Sequence, residues 1–333
     1  MTTHSLTPVR VEHRLRREEG ASLRERELGQ GSSRKAARTG HESVMVKEAI
    51  ALLDLKRLDM VVDCTLGLGG HAEAILRAAP VTLLGIDADH EAAQAARERL
   101  AQYHKRAEIV EGNFGDLAAI LKKQKIVQAN KFLFDLGWNM TQMSSGRGFT
   151  FMHDEPLVMS YGSKPASGFT AAEILNTWEE KVLADVFFGY GEERYARPIA
   201  KAIVARREIA PIASTMELVE IIRDAVPGRY RHGRLNPATK TFQALRIAVN
   251  DELGVIDRGV RAAWGHLAPG GRIVVITFHS IEDRAVKKLF AGLAKESRGK
   301  LVVKKPLAAT REEIMRNPSA RSAKVRAIEK LAE

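Results

Sequence analysis

Apolar residues recur at two periods along the 333-residue chain, and the alternation between them predicts its architecture. Runs of strand length occur at Met60-Val61-Val62-Asp63-Cys64-Thr65, Val81 to Asp87, Glu108-Ile109-Val110, Phe132-Leu133-Phe134-Asp135 and Ile273-Val274-Val275-Ile276. Helical spacing fills the gaps: Val44, Met45, Ala49, Leu52 and Leu53, then a helix through Leu76, another from Glu91 to Leu100, and one through Leu117 and Leu121. Strands apolar on both faces, separated by single helices, predict an α/β protein with a doubly wound parallel sheet. The alternation stops at Leu136. Residues 137–168 have no clear period, and helices follow, two of them opened by the capping-box pairs Thr170/Glu173 and Ser214/Glu217. A further helix is predicted from Asn236-Pro237, carrying the stripe Phe242, Leu245, Val249 and Leu253. The expected organisation is a basic, disordered leader at 1–40, a sheet domain made of 41–140 and 241–299, an all-helical insertion at 141–240, and a basic C-terminal segment at 300–333.

Composition sharpens this picture. With 45% hydrophobic and 28% charged residues the chain reads as globular. No apolar stretch approaches the roughly 18–20 residues of a membrane span, and no apolar run follows the first charges as in a secretory signal, so a cytoplasmic chain without a membrane partner is expected. The one cysteine, Cys64, excludes an intramolecular disulfide and a cysteine-based zinc site, and no metal is expected. Of the net charge of +11, the two ends carry nine. Basic arms of that kind suit a polyanionic partner, or serve as solvated tails.

Candidate chemistry lies at strand ends. The turn Asp63-Cys64-Thr65-Leu66-Gly67-Leu68-Gly69-Gly70-His71 follows the first strand and has glycines where a ligand approaches the backbone. It lacks the Gly-Lys-Ser/Thr of a Walker loop and the full Gly-x-Gly-x-x-Gly of dinucleotide sites, which favours S-adenosylmethionine over NAD. Asp87 ends the second strand, where a carboxylate accepts hydrogen bonds from ribose hydroxyls, or else caps a helix. Asp135 ends the fourth, placed to accept a hydrogen bond from an amino group about to be methylated, or to cap the following loop. Phe278-His279-Ser280-Ile281-Glu282-Asp283-Arg284 follows the fifth strand. Here His279 is a candidate base or RNA contact, with ordinary hydrogen-bonded structure as the alternative. Arg229, Tyr230 and Arg231 in the insertion suit phosphate contact and stacking on an unpaired base, and Arg321 lies in a second basic stretch near the C-terminus.

Taken together these motifs resemble one family, the bacterial small-subunit ribosomal RNA cytosine-N4 methyltransferases, or MraW group. The matching runs include His41-Glu42-Ser43-Val44, the 63–71 turn, Gly85-Ile86-Asp87-Ala88-Asp89, Phe134 to Gln142, Arg147-Gly148-Phe149-Thr150-Phe151, Tyr190-Gly191-Glu192-Glu193-Arg194, Pro237 to Ile247, Phe278 to Arg284 and Asn317 to Arg326. The similarity covers about residues 41–330 in the same order. The resemblance implies a class I methyltransferase domain, Rossmann-like, with a helical insertion. It also implies S-adenosylmethionine as cofactor, 16S rRNA or the small ribosomal subunit as partner, and the N4 amine of a decoding-centre cytidine as target. Carried over by position, the implied cofactor contacts are Gly69, Gly70, His71, Asp87, Phe114, Asp135 and Gln142, with Asp135 as the catalytic candidate. Oligomeric state is left open, a homodimer included.

Departures from the family pattern concentrate on the substrate side. Pro156-Leu157-Val158-Met159-Ser160-Tyr161-Gly162 stands where the family has Pro-Leu-Asp-Met-Arg-Met-Asp, Trp138-Asn139-Met140-Thr141 replaces Val-Ser-Ser-Pro, and Asn236 replaces a histidine. Two alternatives therefore stay open: a methyltransferase retargeted to another RNA, DNA or non-nucleic substrate, and a non-catalytic ribosome-assembly factor that retains the fold.

Overall fold

The computed structural model describes residues 42–137, 145–296 and 299–331. Strands β1 (Met60–Asp63), β2 (Thr82–Asp87), β3 (Ala107–Glu111), β4 (Ala129–Asp135) and β5 (Leu267–Thr277) are mutually parallel and lie in the order β3-β2-β1-β4-β5. Between them run α1 (Val46–Leu53), which precedes β1, then α2 (Gly70–Ala78), α3 (His90–Leu100) and α4 (Leu117–Lys123). The long connection from β4 to β5 carries α5 (Ala171–Thr177), α6 (Glu180–Gly191), α7 (Ala196–Arg207), α8 (Thr215–Ala225), the short α9 (Gly228–Arg231), α10 (Thr239–Val249) and α11 (Glu252–His266). After β5 come α12 (Ser280–Glu296), β6 (Gly299–Leu301), β7 (Leu307–Ala308), α13 (Arg311–Arg316) and β8 (Lys324–Lys330).

Consecutive side chains on a strand point to opposite faces, and each face of this sheet has its own core. Val61, Leu83, Leu133 and Val274 pack with Ala49, Leu53, Ile75 and Leu100 of α1, α2 and α3. Their neighbours Val62, Leu84, Phe132 and Val275 pack instead with Leu117, Ile256, Trp264 and Phe290 of α4, α11 and α12. Burial on both faces is why the strands read as unbroken apolar runs. A third core of Ile174, Phe187, Ile199, Leu218, Phe242 and Leu245 belongs to the helical insertion. Both expected capping boxes are present, at Thr170/Glu173 and Ser214/Glu217.

Three features differ from the sequence reading. The sheet is not wholly parallel, because β8 pairs antiparallel with β5 and, on its other side, with β6 and β7. Residues 324–330, read only as part of a basic segment, hide a strand because Arg326 is buried against Asp283 through two bonds of 2.7 and 3.1 Å, which leaves Val325, Ala327 and Ile328 free to fill the core. Lastly, α10 begins at Thr239, two residues beyond Pro237, and its Phe242, Ala244, Leu245 and Ala248 pack in the insertion's core, so the expected boundary at 240/241 cuts through that helix. Asn236 still caps locally, its Oδ1 accepting from the Ala238 N–H. Among the described residues no helix is long and apolar enough to cross a membrane.

Candidate active site

The strand order reverses between β1 and β4, with β2 and β3 on one side and β5 on the other. Ligands of open α/β sheets bind at such a reversal, beyond the carboxyl ends of the strands. Asp63 ends β1 and Asp135 ends β4, so the two carboxyls flank that point.

The turn after β1 is built by its backbone. Leu66 N–H donates to Ile86 O, Gly67 N–H to Asp87 Oδ2 at 2.7 Å, and Gly69 N–H back to Leu66 O. Gly69 holds φ +78°, a left-handed conformation, as it caps α2. At Gly70 a side chain would collide with Ser43. Turn geometry at Gly69 and the close approach of Ser43 at Gly70 each require a glycine, and both leave the backbone of the turn bare of side chains. The neighbouring Val44 carbonyl accepts from His71 Nε2 at 3.0 Å, so Ser43 and Val44 brace the turn.

His71 is buried and turns Nδ1 toward Asp135 Oδ2 at 3.4 Å. A ring donating through Nε2 offers Nδ1 as an acceptor, so the pair is matched when a proton lies between them. Asp135 receives little compensation for burial. Thr65 Oγ1 accepts from its backbone N–H, a fifth of its side chain reaches solvent (20%), and its Oδ1 has no hydrogen-bond partner among the described residues. Burial, with Asp63 and Glu282 adding repulsion, pushes its carboxyl well above the usual carboxylate range. Asp63 is wholly buried, accepts among the described residues only from Thr65 N–H at 3.2 Å, and is pushed up to about 7, chiefly by burial and further by Asp87. Asp87 is raised by burial as well, while the N–H groups of Asp89 and Gly67 oppose the shift. Phe114, beyond β3, lies edge-on to Phe134 with ring centres 5.5 Å apart. Gln142 lies outside the described residues.

A second polar group closes the site from β5. Phe278 and His279 N–H donate to Glu282 Oε2 at 2.8 and 3.3 Å, and the Glu282 N–H donates to His279 Nδ1 at 3.4 Å. This is a capping box with histidine in the usual serine position, and the His-x-x-Glu spacing was the sequence signal for it. His279 Nε2 lies 3.0 Å from Glu282 Oε1 and 3.2 Å from Arg246 Nη2. Arg246 holds Glu252 through bonds of 2.7 and 3.0 Å, and the Tyr161 hydroxyl donates to the same carboxylate at 2.9 Å. Burial works against the charges on Arg246 and Glu282. It is outweighed by Glu252 for the guanidinium, whose pKa is raised, and by His279 and Arg246 for Glu282, whose pKa is lowered. Glu252, His279 and Glu282 present ligand atoms within 4.8 Å of one another, and the Arg246 guanidinium already supplies their positive partner.

Arg147 fastens the segment after β4 to the turn that follows β2. Its guanidinium donates to Asp89 Oδ2 at 2.7 Å and to the carbonyls of Ser160 and Tyr161. The substituted 156–162 stretch is therefore tied down by its backbone and by Tyr161, which also stacks on Phe149 at 5.5 Å. Gly148 makes this fold possible, with φ +83° and its α-carbon so close to Pro156 that a methyl group would stand 2.5 Å from the carbonyl oxygen. Gly148→Ala is expected to lower stability by about 2 kcal/mol, read as a lowered urea midpoint at unchanged slope. An unaltered midpoint contradicts the strain.

The remaining candidates lie apart. Tyr230 is held by the buried Glu193 at 2.6 Å, meets Tyr195 edge-on at 4.8 Å and has Arg194 over its ring. Arg229 and Arg321 are exposed, and Arg231 is half-buried with Nη2 directed at Val226 O. Sequence reading missed Asp63, Arg246, Glu252 and the Asp89–Arg147 pair as members of the site. For Asp63 the available signal was a carboxylate closing an otherwise apolar strand.

The chain matches the MraW methylase family over residues 38–331. It belongs to that family. Curated relatives named ribosomal RNA small subunit methyltransferase H extend the match: the Carboxydothermus hydrogenoformans protein is 43% identical over 88% of this chain and 98% of its own, and that of Geotalea uraniireducens 45% over 87% and 98%. A solved rRNA methylase from Streptococcus thermophilus aligns over 86% of this chain and 94% of that one at 10% identity, with a TM-score of 0.39, so the assignment to the MraW family rests on the sequence relatives.

Proposed function

We propose that this MraW-family chain is an S-adenosylmethionine-dependent methyltransferase acting on the N4 amine of a cytidine in small-subunit ribosomal RNA. The observation that carries this reading is the pair of under-compensated carboxyls, Asp63 and Asp135, at the strand reversal of a chain whose relatives are named for methylating that RNA. Two buried carboxylate oxygens without partners fit a cationic ligand, and the Asp87 carboxylate beside the turn fits a ribose diol. The cofactor supplies an electrophilic methyl group on a sulfonium. The protein's own task is to place the weakly nucleophilic cytosine amine in line with it, within about 3–3.5 Å, and to accept its N–H hydrogens. Asp135 is assigned that acceptor role, and Phe114 the flank of the adenine.

The target base must leave its stack, at a cost of about a few kcal/mol, and enter a pocket bounded by the insertion. Exposed Arg229 and Arg321 are assigned phosphate contacts, with Arg231 beside them. Tyr230, held from three sides, is assigned to shaping that surface. His279 is assigned to positioning Arg246 and Glu282, since both ring nitrogens face protein groups.

The test is methyl transfer from labelled S-adenosylmethionine to small ribosomal subunits lacking the modification, followed by nucleoside mass spectrometry. N4-methylcytidine is the expected product. Label in another nucleoside replaces this reading with a retargeted enzyme, and cofactor binding without incorporation replaces it with an assembly factor.

A further inference from the structure

Two carboxylates stand directly before one guanidinium in Glu192-Glu193-Arg194, just beyond α6, and neither pairs with it. Glu192 reaches the start of α12, where it takes the Arg284 guanidinium at 2.6 Å and the Ser280 hydroxyl at 3.0 Å. Glu193 is wholly buried and accepts from the Tyr195 N–H at 2.8 Å with one oxygen and from the Tyr230 hydroxyl at 2.6 Å with the other. Arg194 itself is exposed and has no hydrogen bond or ion pair among the described residues. It is nevertheless held. Its guanidinium carbon lies 4.8 Å from the centre of the Tyr195 ring and 4.7 Å from that of Tyr230, and the two ring centres are 4.8 Å apart at 62°. A cation within about 6 Å of a ring face is attracted to it, so Arg194 sits in the angle between two rings that Glu193 fixes in place. The carboxylate beside Arg194 thus builds its seat and does not neutralise its charge.

The segment that carries Tyr230 supplies no counter-charge either. From Val226 to Phe242 the chain has no acidic residue, Arg229 and Arg234 are exposed without a partner among the described residues, and Arg231 keeps a buried Nε that no acceptor meets. A planar fork of N–H donors, held still and left unpaired, suits a phosphate, which it can engage through two parallel bonds. Several such cations suit a strand of phosphates rather than a single anion. Placement agrees with this. Glu192 ties the end of α6 to the first turn of α12, next to His279 at the carboxyl end of β5, and Arg194 follows two residues on, at most about 7 Å along the chain. The seat adjoins the strand ends while lying outside the cofactor site.

We infer that Arg194, seated on Tyr195 and Tyr230, grips a phosphate of the RNA strand that leads to the target base. The inference rests on the ribosomal RNA reading above and adds a contact residue to it. Sequence reading named Arg229, Tyr230 and Arg231 but passed over Arg194, whose charge two adjoining glutamates balance on paper. Only the fold shows that both are turned elsewhere.

Fluorescence anisotropy of the full chain with a labelled single-stranded oligoribonucleotide, over a series of salt concentrations, tests the contact. Arg194→Gln is expected to weaken binding by about 10-fold, the loss of one charge-assisted contact, and to lower the slope of log affinity against log salt by about 0.7, the value for one phosphate on a single strand. Arg194→Lys keeps the charge and is expected to restore the slope. In methyl transfer to small subunits lacking the modification, Arg194→Gln is expected to raise KM for the subunit by about 10-fold, with the loss falling on KM rather than kcat. A wild-type salt slope in Arg194→Gln overturns the inference even where KM for the subunit rises, because that pattern marks contact with an acidic ribosomal protein. Displacement of the RNA by millimolar inorganic phosphate at constant ionic strength assigns the seat to a small anion and overturns it as well. So does an equal loss of S-adenosylmethionine affinity, which marks a merely structural role, or failure of the wild type to bind the RNA. Binding with the expected slopes but without methyl transfer to subunits overturns the functional reading instead and leaves the contact standing.

Discussion

Asp135→Asn is expected to lower kcat for methyl transfer to the small subunit by about 10²–10³-fold, the usual effect of removing one positioned group from a reacting centre. The amide is close in size and matches the neutral carboxyl, so the fold should persist. What changes is the acceptor. A carboxylate can accept both N–H hydrogens of an exocyclic amine through two oxygens, whereas asparagine offers one oxygen and two competing donors. The expected pH profile follows from the same group. Burial and the negative neighbours Asp63 and Glu282 favour the protonated form, so wild-type activity should rise with pH as the pair ionises. In Asp135→Asn that rise should flatten. Turnover within threefold of wild type, at unchanged cofactor affinity, removes Asp135 from the chemistry and leaves it a loop cap.

Much of this site was legible in the chain because its parts lie at strand ends, and strand ends are marked by abrupt changes from apolar to polar residues. Asp87 and Asp135 could be found in that way, as could the turn between Asp63 and His71. The packing of Ser43 against Gly70 was not legible, since the two lie 27 positions apart. Arg246 and Glu252 were equally hidden. They belong to the ends of two helices whose apolar stripes dominate the pattern, and charged residues there read as solvated until the tertiary fold buries them. Residues 324–330 misled for a related cause: a basic run becomes a central strand only if another element supplies the counter-charge, and Asp283 on α12 does so. Patterns of period and punctuation are local, whereas the pairing of buried charges is not.

That non-local pairing should have the largest effect on stability. Arg246 is 9% exposed and Glu252 8%, and the guanidinium bonds both oxygens of the carboxylate while lying 3.2 Å from His279. Removing one partner of a buried pair leaves the other uncompensated, which costs about 3–5 kcal/mol. Arg246→Ala is thus expected to reduce the unfolding free energy by that amount, seen in urea titration. Tyr161 should register the loss, because its phenol donates to the same Glu252 oxygen that receives Arg246 Nε. The discriminating measurement is a double-mutant cycle. Arg246→Met alone strands Glu252 and Glu282, whereas Arg246→Met with Glu252→Leu removes both charges and fills similar volume, so it should recover much of the loss. Recovery of stability without recovery of methyl transfer would show that the pair is kept to hold His279 and Tyr161 in place between the insertion and the sheet. If stability and turnover return together, the pair contributes only packing, and the link from Tyr161 through Glu252, Arg246 and His279 to Glu282 has no part in positioning the substrate.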